Sequence, residues 1–477
     1  MSSMASEYPM FIAGRSVAGG ARREIQLPWD GSPVGTVFLA SPEQAEAAVS
    51  AAGAAAPAMR EMTLDARSAI LRKACDRLLE RREAMALLVS SETGKPIREA
   101  RIEVDRAAYT LLFSAEEAHR LSGEVVPMDA SPAGKGRWAM TVREPLGVIV
   151  AITPFNFPLN LAMHKIGPAL AGGNAVVHKP AGATPLSAVR MAAIFQECGL
   201  PDGALNVVTG SGGAIGDRLV TDPRVAMVTF TGSPEVGRRI RGLAGMKKVT
   251  LELGSNSAVI IEADADLDEA AARAVAGSFA NSGQVCISVQ RIFVARPVRD
   301  AFLERLVEGA RKLAIGHPHD PATEISSLIS VGEAERVEEW IHEARRAGAV
   351  LAAGGARRRA TIEPAVLAEA PPGVGLSCRE VFGPVVGVNA YDTLDEAIAR
   401  VNDSEYGLQA GIYTRDIESA FRAAREIRVG GFMINDVPQY RVDQMPYGGV
   451  KLSGTGREGP RYAIEEMTEP KLVCWKV

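Results

Sequence analysis

Between residues 147 and 253, short apolar runs alternate with longer stretches whose apolar side chains recur every three or four positions. The runs 147–152, 175–178, 205–208, 225–230 and 248–253 read as strands. The stretches 161–171, 185–197, 214–220 and 234–243 read as helices. Most of these strands are apolar on both faces, as in a parallel sheet covered on both sides, with ligands at the strand carboxyl ends. Upstream, residues 10–36 mix short apolar pieces with Gly and Pro, as a strand-and-turn arm. Residues 41–121 are Ala-rich and helical: Pro42-Glu43-Gln44 opens one helix, 64–91 keeps the helical period, and Glu92 to Pro96 interrupts it before 99–121. Residues 123–143 break the pattern with Pro127, Pro132, Gly134 and Gly136, then give a strand-like 138–142. A helix at 267–280 and renewed alternation over 290–436 mark a second unit. The fold class is therefore α/β, with a cleft between two units as the place for a substrate.

Length and composition narrow the function. The chain has 477 residues, 23% of them charged, and a formal net charge of −4. That charge gives no footprint for nucleic acid. No apolar run reaches the length of a membrane span, and residues 1–8 lack the basic-then-apolar order of a secretory signal. Five scattered cysteines (Cys75, Cys198, Cys286, Cys378 and Cys474) show neither disulfide nor metal spacing. The cytoplasm is the expected compartment and no metal is expected.

Candidate chemistry centres on two stretches. Cys286 follows Asn281-Ser282-Gly283-Gln284-Val285 and precedes an apolar, β-branched run to Val294 that reads as a strand entered from a loop. By itself it could be an ordinary buried cysteine. In 249–253, Val249, Leu251 and Leu253 share one strand face, so Glu252 lies on the other, ahead of a glycine turn. There it is either a solvated strand end or a base. Thr231-Gly232-Ser233 closes another strand, and Ser233 with Pro234 opens a helix whose amides suit a phosphate, or simply cap it.

Together these motifs resemble the aldehyde dehydrogenase superfamily. Glu252-Leu253-Gly254-Ser255-Asn256 resembles its general-base motif and Gly283-Gln284-Val285-Cys286 its nucleophile motif. Thr153-Pro154-Phe155-Asn156-Phe157-Pro158, Lys179-Pro180, Phe230 to Ser233 with Val236-Gly237, Glu380 to Pro384, and Pro446 to Gly449 with Ser453-Gly454 follow in the expected order. The resemblance implies a Rossmann-like cofactor domain (1–122 and 142–252, with 431–456 returning to it), a catalytic domain (253–430), and a small β oligomerisation arm (123–141 and 457–477). A strand at 471–477 would pair with the one at 138–142, and exposed edges of this kind imply a homodimer or homotetramer. It further implies that Cys286 attacks an aldehyde, that the Asn156 amide and the Cys286 N–H hold the resulting oxyanion, and that Glu252 activates water on the thioester. Transfer to coenzyme A is the alternative fate of that thioester. NAD or NADP would be held by Thr153, Phe155, Lys179, Gly182, Gly212, Thr231, Gly232, Ser233, Val236, Glu380 and Phe382.

Two features bear on specificity. NAD-preferring relatives commonly carry a glutamate three residues after the ribose lysine, which accepts the ribose hydroxyls and repels a 2′-phosphate. Here that residue is Gly182, so NADP is admitted and NAD is not excluded. Arg106, His164, Arg291 and Arg441, with the run 286–291, resemble the lactaldehyde and phosphonoacetaldehyde dehydrogenase subgroup. A tunnel with these cations would suit a small polar or anionic aldehyde, unless the arginines only make structural ion pairs. A non-phosphorylating glyceraldehyde-3-phosphate or semialdehyde dehydrogenase would share the site and differ in the tunnel.

Overall fold

The computed structural model describes residues 6–477; the first five residues, part of the stretch read as lacking a secretory signal, lie outside the described residues. Two twisted sheets dominate. The first has the spatial order Gly454–Thr455, Lys248–Glu252, Val225–Thr231, Val148–Ile152, Ala175–Lys179, Leu205–Val207, Met10–Ile12, Arg15–Val17. Its five central strands are parallel, and the outer pieces are antiparallel edges. Starting at Val148–Ile152, the chain builds outward to Ala175–Lys179 and Leu205–Val207, then returns to place Val225–Thr231 on the other side. That reversal opens a crevice at the carboxyl ends of Val148–Ile152 and Val225–Thr231. The second sheet runs Val350–Ala353, Ala365–Ala368, Val385–Tyr391, Arg291–Ala295, Ala258–Ile261, Gln409–Tyr413, Gly431–Ile434, parallel except for its first strand.

The helices follow local chemistry. Ser41 caps the helix Pro42–Glu61 in a capping box with Gln44. The stretch 64–91 divides into Leu64–Glu80 and Arg82–Thr93, and Gly94 ends the second in the left-handed region at φ 74°. Leu186–Glu197 and Ile97–Arg120 pack around the first sheet, whose core continues through Ile149, Val150, Val176 and Val177.

The arm is a three-stranded sheet in which Arg137–Pro145 lies between Val125–Val126 and Thr468–Lys476. The C-terminal strand pairs antiparallel from Thr468 opposite Pro145 to Lys476 opposite Arg137. Several boundaries differ from expectation. Gly431–Ile434 completes the second sheet beside Gln409–Tyr413, so the return to the first sheet is carried by Gly454–Thr455. The arm strand continues to Pro145, and residues 460–466 form a helix against Asn160–Ala171 instead of arm strand. Cys286 does not open a strand either. The strand begins at Arg291, because Ser288 and Val289 are spent on bonds to Val285 and Gly277.

Candidate active site

The nucleophile loop is shaped by backbone that few residues tolerate. Asn281, Ser282 and Gly283 all have positive φ, at 50°, 54° and 74°. A Cβ at Gly283 would stand 2.0 Å from the Gly383 carbonyl oxygen, so only glycine lets these two loops meet. Consecutive left-handed residues cost free energy and persist where packing fixes them, often at functional sites. Buried Val285, Ile287, Leu408 and Tyr447 surround partly buried Cys286. Its Sγ lies 2.8 Å from the Tyr447 hydroxyl. Burial pushes the thiol up to about 11, against the pull of that hydroxyl and of Arg441.

Asn156 reaches the same place from the turn after Val148–Ile152. Its Nδ2 donates to the Gln284 carbonyl at 2.9 Å, which leaves its second N–H free. The Cys286 N–H has no protein acceptor among the described residues. The turn is fastened by Glu103, whose carboxylate accepts from the N–H groups of Leu159 (2.9 Å) and Asn160 (3.2 Å). Lys95, buried with it, pairs with Glu103 and stands 3.7 Å over the Phe157 ring.

Glu252 ends its strand 2% exposed, and neither carboxylate oxygen has a partner. Burial raises its pKa well above the usual carboxylate range, and neighbouring Glu458 raises it further. Glu458 is held the other way. Burial works against it, but Lys165, at 2.7 Å, and Arg441 keep it ionised. The two buried carboxylates are thus pushed in opposite directions, and it is Glu252, with both oxygens open, that has room to accept a proton.

Arg441, 6% exposed, bonds Glu458 at 3.3 Å and lies 3.6 Å over the Tyr447 ring, with its Nε unpartnered. Arg106 makes a two-point pair with Asp443 at 2.8 and 3.2 Å. Fully buried His164 meets the same carboxylate at 3.0 Å, and burial lowers its pKa. Three of the four anticipated cationic positions thus lie around Asp443 and Glu458; Arg441 is tied to the nucleophile through the Tyr447 ring, and Arg106 and His164 are committed to Asp443. Arg291 does not join them. Its guanidinium donates to the carbonyls of Asn256, Arg400 and Val401, and burial lowers it to about 10. It lines a separate cavity of about 930 Å³ with Arg379, Arg400 and Asp403. Its place at the head of a buried strand explains this: the side chain closes backbone groups inside the unit.

A cavity of about 480 Å³ connects Cys286, Asn156 and Glu252 with Phe155, Thr231, Gly232, Ser233, Glu380 and Phe382. The fit to a dinucleotide is local and chemical. The Thr231 hydroxyl is buried without a partner, and Ser233 caps the helix Pro234–Leu243, with exposed Val236 in its first turn. Glu380 accepts from the Ser255 N–H at 3.0 Å and fills the space that a Cβ on Gly254 would take; burial raises it to about 7. Phe382 meets Phe155 edge-on at 5.6 Å. Lys179 ends its strand beneath Gly216, where burial lowers it to about 8. Gly212 opens a π-type turn, and a Cβ there would meet nothing within 4 Å. The Thr153 hydroxyl instead faces the sheet interior, 2.9 Å from His178.

Sequence reasoning gave no role to Lys165, Glu458, Asp443 or Tyr447. Lys165 carried a signal, since a lysine inside a mostly apolar helix must find a buried partner. Glu458 and Asp443 had none, because their partners lie far away in the chain.

Comparison with known proteins agrees with this geometry. The profile of the aldehyde dehydrogenase family matches residues 17–473. A 3-sulfolactaldehyde dehydrogenase from Priestia aryabhattai is 48% identical, covering 98% of each chain. A lactaldehyde dehydrogenase from Methanococcus aeolicus is 39% identical over 97% of this chain and 99% of its own. The crystal structure of aldehyde dehydrogenase 21 from Physcomitrella patens, in complex with the reaction product succinate, superimposes with a TM-score of 0.97, 38% identity and 99% coverage of each chain. With its nucleophile loop, buried carboxylate and two sheets in the expected order, this chain belongs to the aldehyde dehydrogenase family.

Proposed function

We propose that the protein oxidises a short aldehyde bearing an anionic group, such as a sulfonate, carboxylate, phosphonate or phosphate, to its carboxylic acid with NAD or NADP. The observation that carries the anionic part is Arg441: a buried guanidinium beside the nucleophile, singly bonded to Glu458, with its Nε unpartnered. A planar cation with a free donor suits an oxyanion group one or two carbons from the aldehyde. The relatives acting on sulfolactaldehyde and holding succinate support this reading.

In the catalytic sequence, Cys286 Sγ adds to the aldehyde carbon once its proton has left, and Glu252, with both oxygens open, is the base within the cleft. The free Asn156 amide hydrogen and the Cys286 N–H receive the oxyanion. Each such donor is typically worth about 2.7–4 kcal/mol. The nicotinamide cofactor, when bound along Thr231–Ser233, Glu380 and Phe382, supplies the acceptor for the hydride. Glu252 then deprotonates the water that hydrolyses the Cys286 thioester, and the positive charges of Lys165 and Arg441 ease its ionisation. Hydrolysis needs no second substrate, which favours it over transfer to coenzyme A.

The three-stranded arm exposes Trp138, Met140, Leu472 and Trp475. Apolar surface of that extent on a strand pair favours a homo-oligomer, dimer or tetramer. Among the described residues no helix is long and apolar enough to cross a membrane. The five cysteines are all free, as suits a reducing cytoplasm.

The test is a set of kcat/KM values for 3-sulfolactaldehyde, succinic semialdehyde, phosphonoacetaldehyde, lactaldehyde and propanal, each with both cofactors. The expected result is a preference of tenfold or more for an anionic aldehyde, as order of magnitude for one buried charged hydrogen bond. Equal values for propanal would leave the aldehyde chemistry and remove the anion pocket.

A further inference from the structure

Gly182 removes the acidic side chain that would refuse a 2′-phosphate, and the structure shows what stands in its place. A Cβ at Gly182 would lie 2.9 Å from a terminal nitrogen of Arg23 and meet no other atom within 4 Å except the same guanidinium. Arg23 comes from a distant part of the chain, the strand Arg22–Gln26, which pairs antiparallel with Pro33–Phe38. Alternation puts Arg23 on the same face as buried Ile25, the face turned towards the first sheet. The adjacent Arg22 is already occupied, with Glu7 at 3.1 Å and the Phe38 ring at 5.2 Å. Arg23 has no carboxylate within 4 Å and no hydrogen-bond acceptor among the described residues, and it is exposed. The segment below it, Pro180-Ala181-Gly182-Ala183-Thr184, carries no acid, and Lys179 precedes it.

We infer that Arg23 is a cofactor-specificity residue, binding the 2′-phosphate of NADP over the gap left by Gly182. The inference rests on reading Lys179 to Gly182 as the segment that holds the adenosine ribose. A guanidinium bonds phosphate in two-point fashion and an ammonium does not, so Arg23 adds geometry as well as charge. NAD lacks that group and gains nothing from Arg23, so the hairpin biases the enzyme towards NADP without excluding NAD.

The experiment is calorimetric titration of the full-length protein, without aldehyde, using 2′,5′-ADP and 5′-AMP as probes. Wild type should bind 2′,5′-ADP more tightly. Arg23→Gln should weaken 2′,5′-ADP about tenfold relative to 5′-AMP, a discounted charged hydrogen bond at an exposed site. Arg23→Lys should restore part of that ratio. Gly182→Glu, which places a carboxylate against the guanidinium, should reverse the preference. A ratio unchanged in Arg23→Gln, or an equal loss for both probes, would overturn the role of Arg23 while leaving the ribose site standing. Failure of wild type to bind either probe would overturn the ribose-site reading, and the inference with it.

Discussion

Glu103, bonded to the turn that follows Asn156, and Glu252, which lines the same cavity as Asn156, are two buried carboxylates treated in opposite ways. Glu103 is fully satisfied: Lys95 pairs with it, and two backbone N–H groups at the start of Asn160–Ala171 donate to it. Glu252 is equally buried, yet both its oxygens are open. An unpartnered buried carboxylate is expensive, and its raised pKa expresses that expense. A paired one holds structure. The contrast teaches that burial alone does not point to proton transfer; burial with vacant hydrogen-bonding capacity does, which is why the proposed base is Glu252.

The largest effect should come from Glu252→Gln. Loss of the base should slow thiol deprotonation and thioester hydrolysis together, by about 10²–10⁴-fold, measurable as a fall in steady-state NAD(P)H formation with no burst. The same substitution sharpens the comparison through stability. Because the folded pKa of Glu252 is raised, its favourable contribution is fully present below the unfolded value and is lost as pH rises through the folded one. Glu252→Gln should therefore gain on wild type in Tm as pH rises from 5 to 8; a constant difference would mean that the carboxylate is not strained. Turnover in wild type should rise with pH over the same limb, as Glu252 ionises.

Next, Glu103→Gln should do the reverse, leaving Lys95 buried without its counter-charge and costing about 3–5 kcal/mol in denaturant unfolding. Were Glu103→Gln neutral while Glu252→Gln destabilised the fold, the two carboxylates would have exchanged roles.

How much of this could be read beforehand depends on whether a feature is local. The strands before Glu252 and Thr231 and the helix at Pro234–Leu243 follow from period and caps, and the C-terminal pairing with 138–142 from the family resemblance. The motifs anticipated Cys286, Glu252 and Asn156 as a group, and the three line one cavity; their catalytic roles belong to the proposed function. Arg291 misled because its position in the motif run says nothing about which face of the strand head it closes. Asp443 and Glu458 stayed silent, and Tyr447 stood in a motif without a role, because each acts on a residue about 160 to 290 positions away. Arg23 beside Gly182 belongs to the same class, since a missing side chain has no sequence signature of what fills its space.

Smaller effects test the arginine side of the cleft. Arg441→Gln should raise KM for an anionic aldehyde about tenfold or more relative to propanal, the value of a charged hydrogen bond. It should also slow alkylation of Cys286, since Arg441 favours the thiolate. Arg291→Gln should leave the ratio of KM values alone and act on stability, as its carbonyl partners require. The smallest change is expected from Tyr447→Phe. Loss of one hydroxyl at 2.8 Å from Sγ should slow iodoacetamide labelling a few-fold at pH 8, by about 1 kcal/mol.

The arm carries a consequence for how the molecule is made. Lys471 meets Glu144 across 327 residues of chain, and the strand containing Glu144 gains that neighbour only when the last segment is synthesised. Through most of translation, Arg137–Pro145 has an open edge of nine residues with Trp138 and Met140 on it. Pairing of Thr468–Lys476 then moves the open edge instead of removing it: the outermost strand of the arm becomes Thr468–Lys476, and Trp138 and Met140 stay exposed beside Leu472 and Trp475, so the margin is left for another molecule to cover.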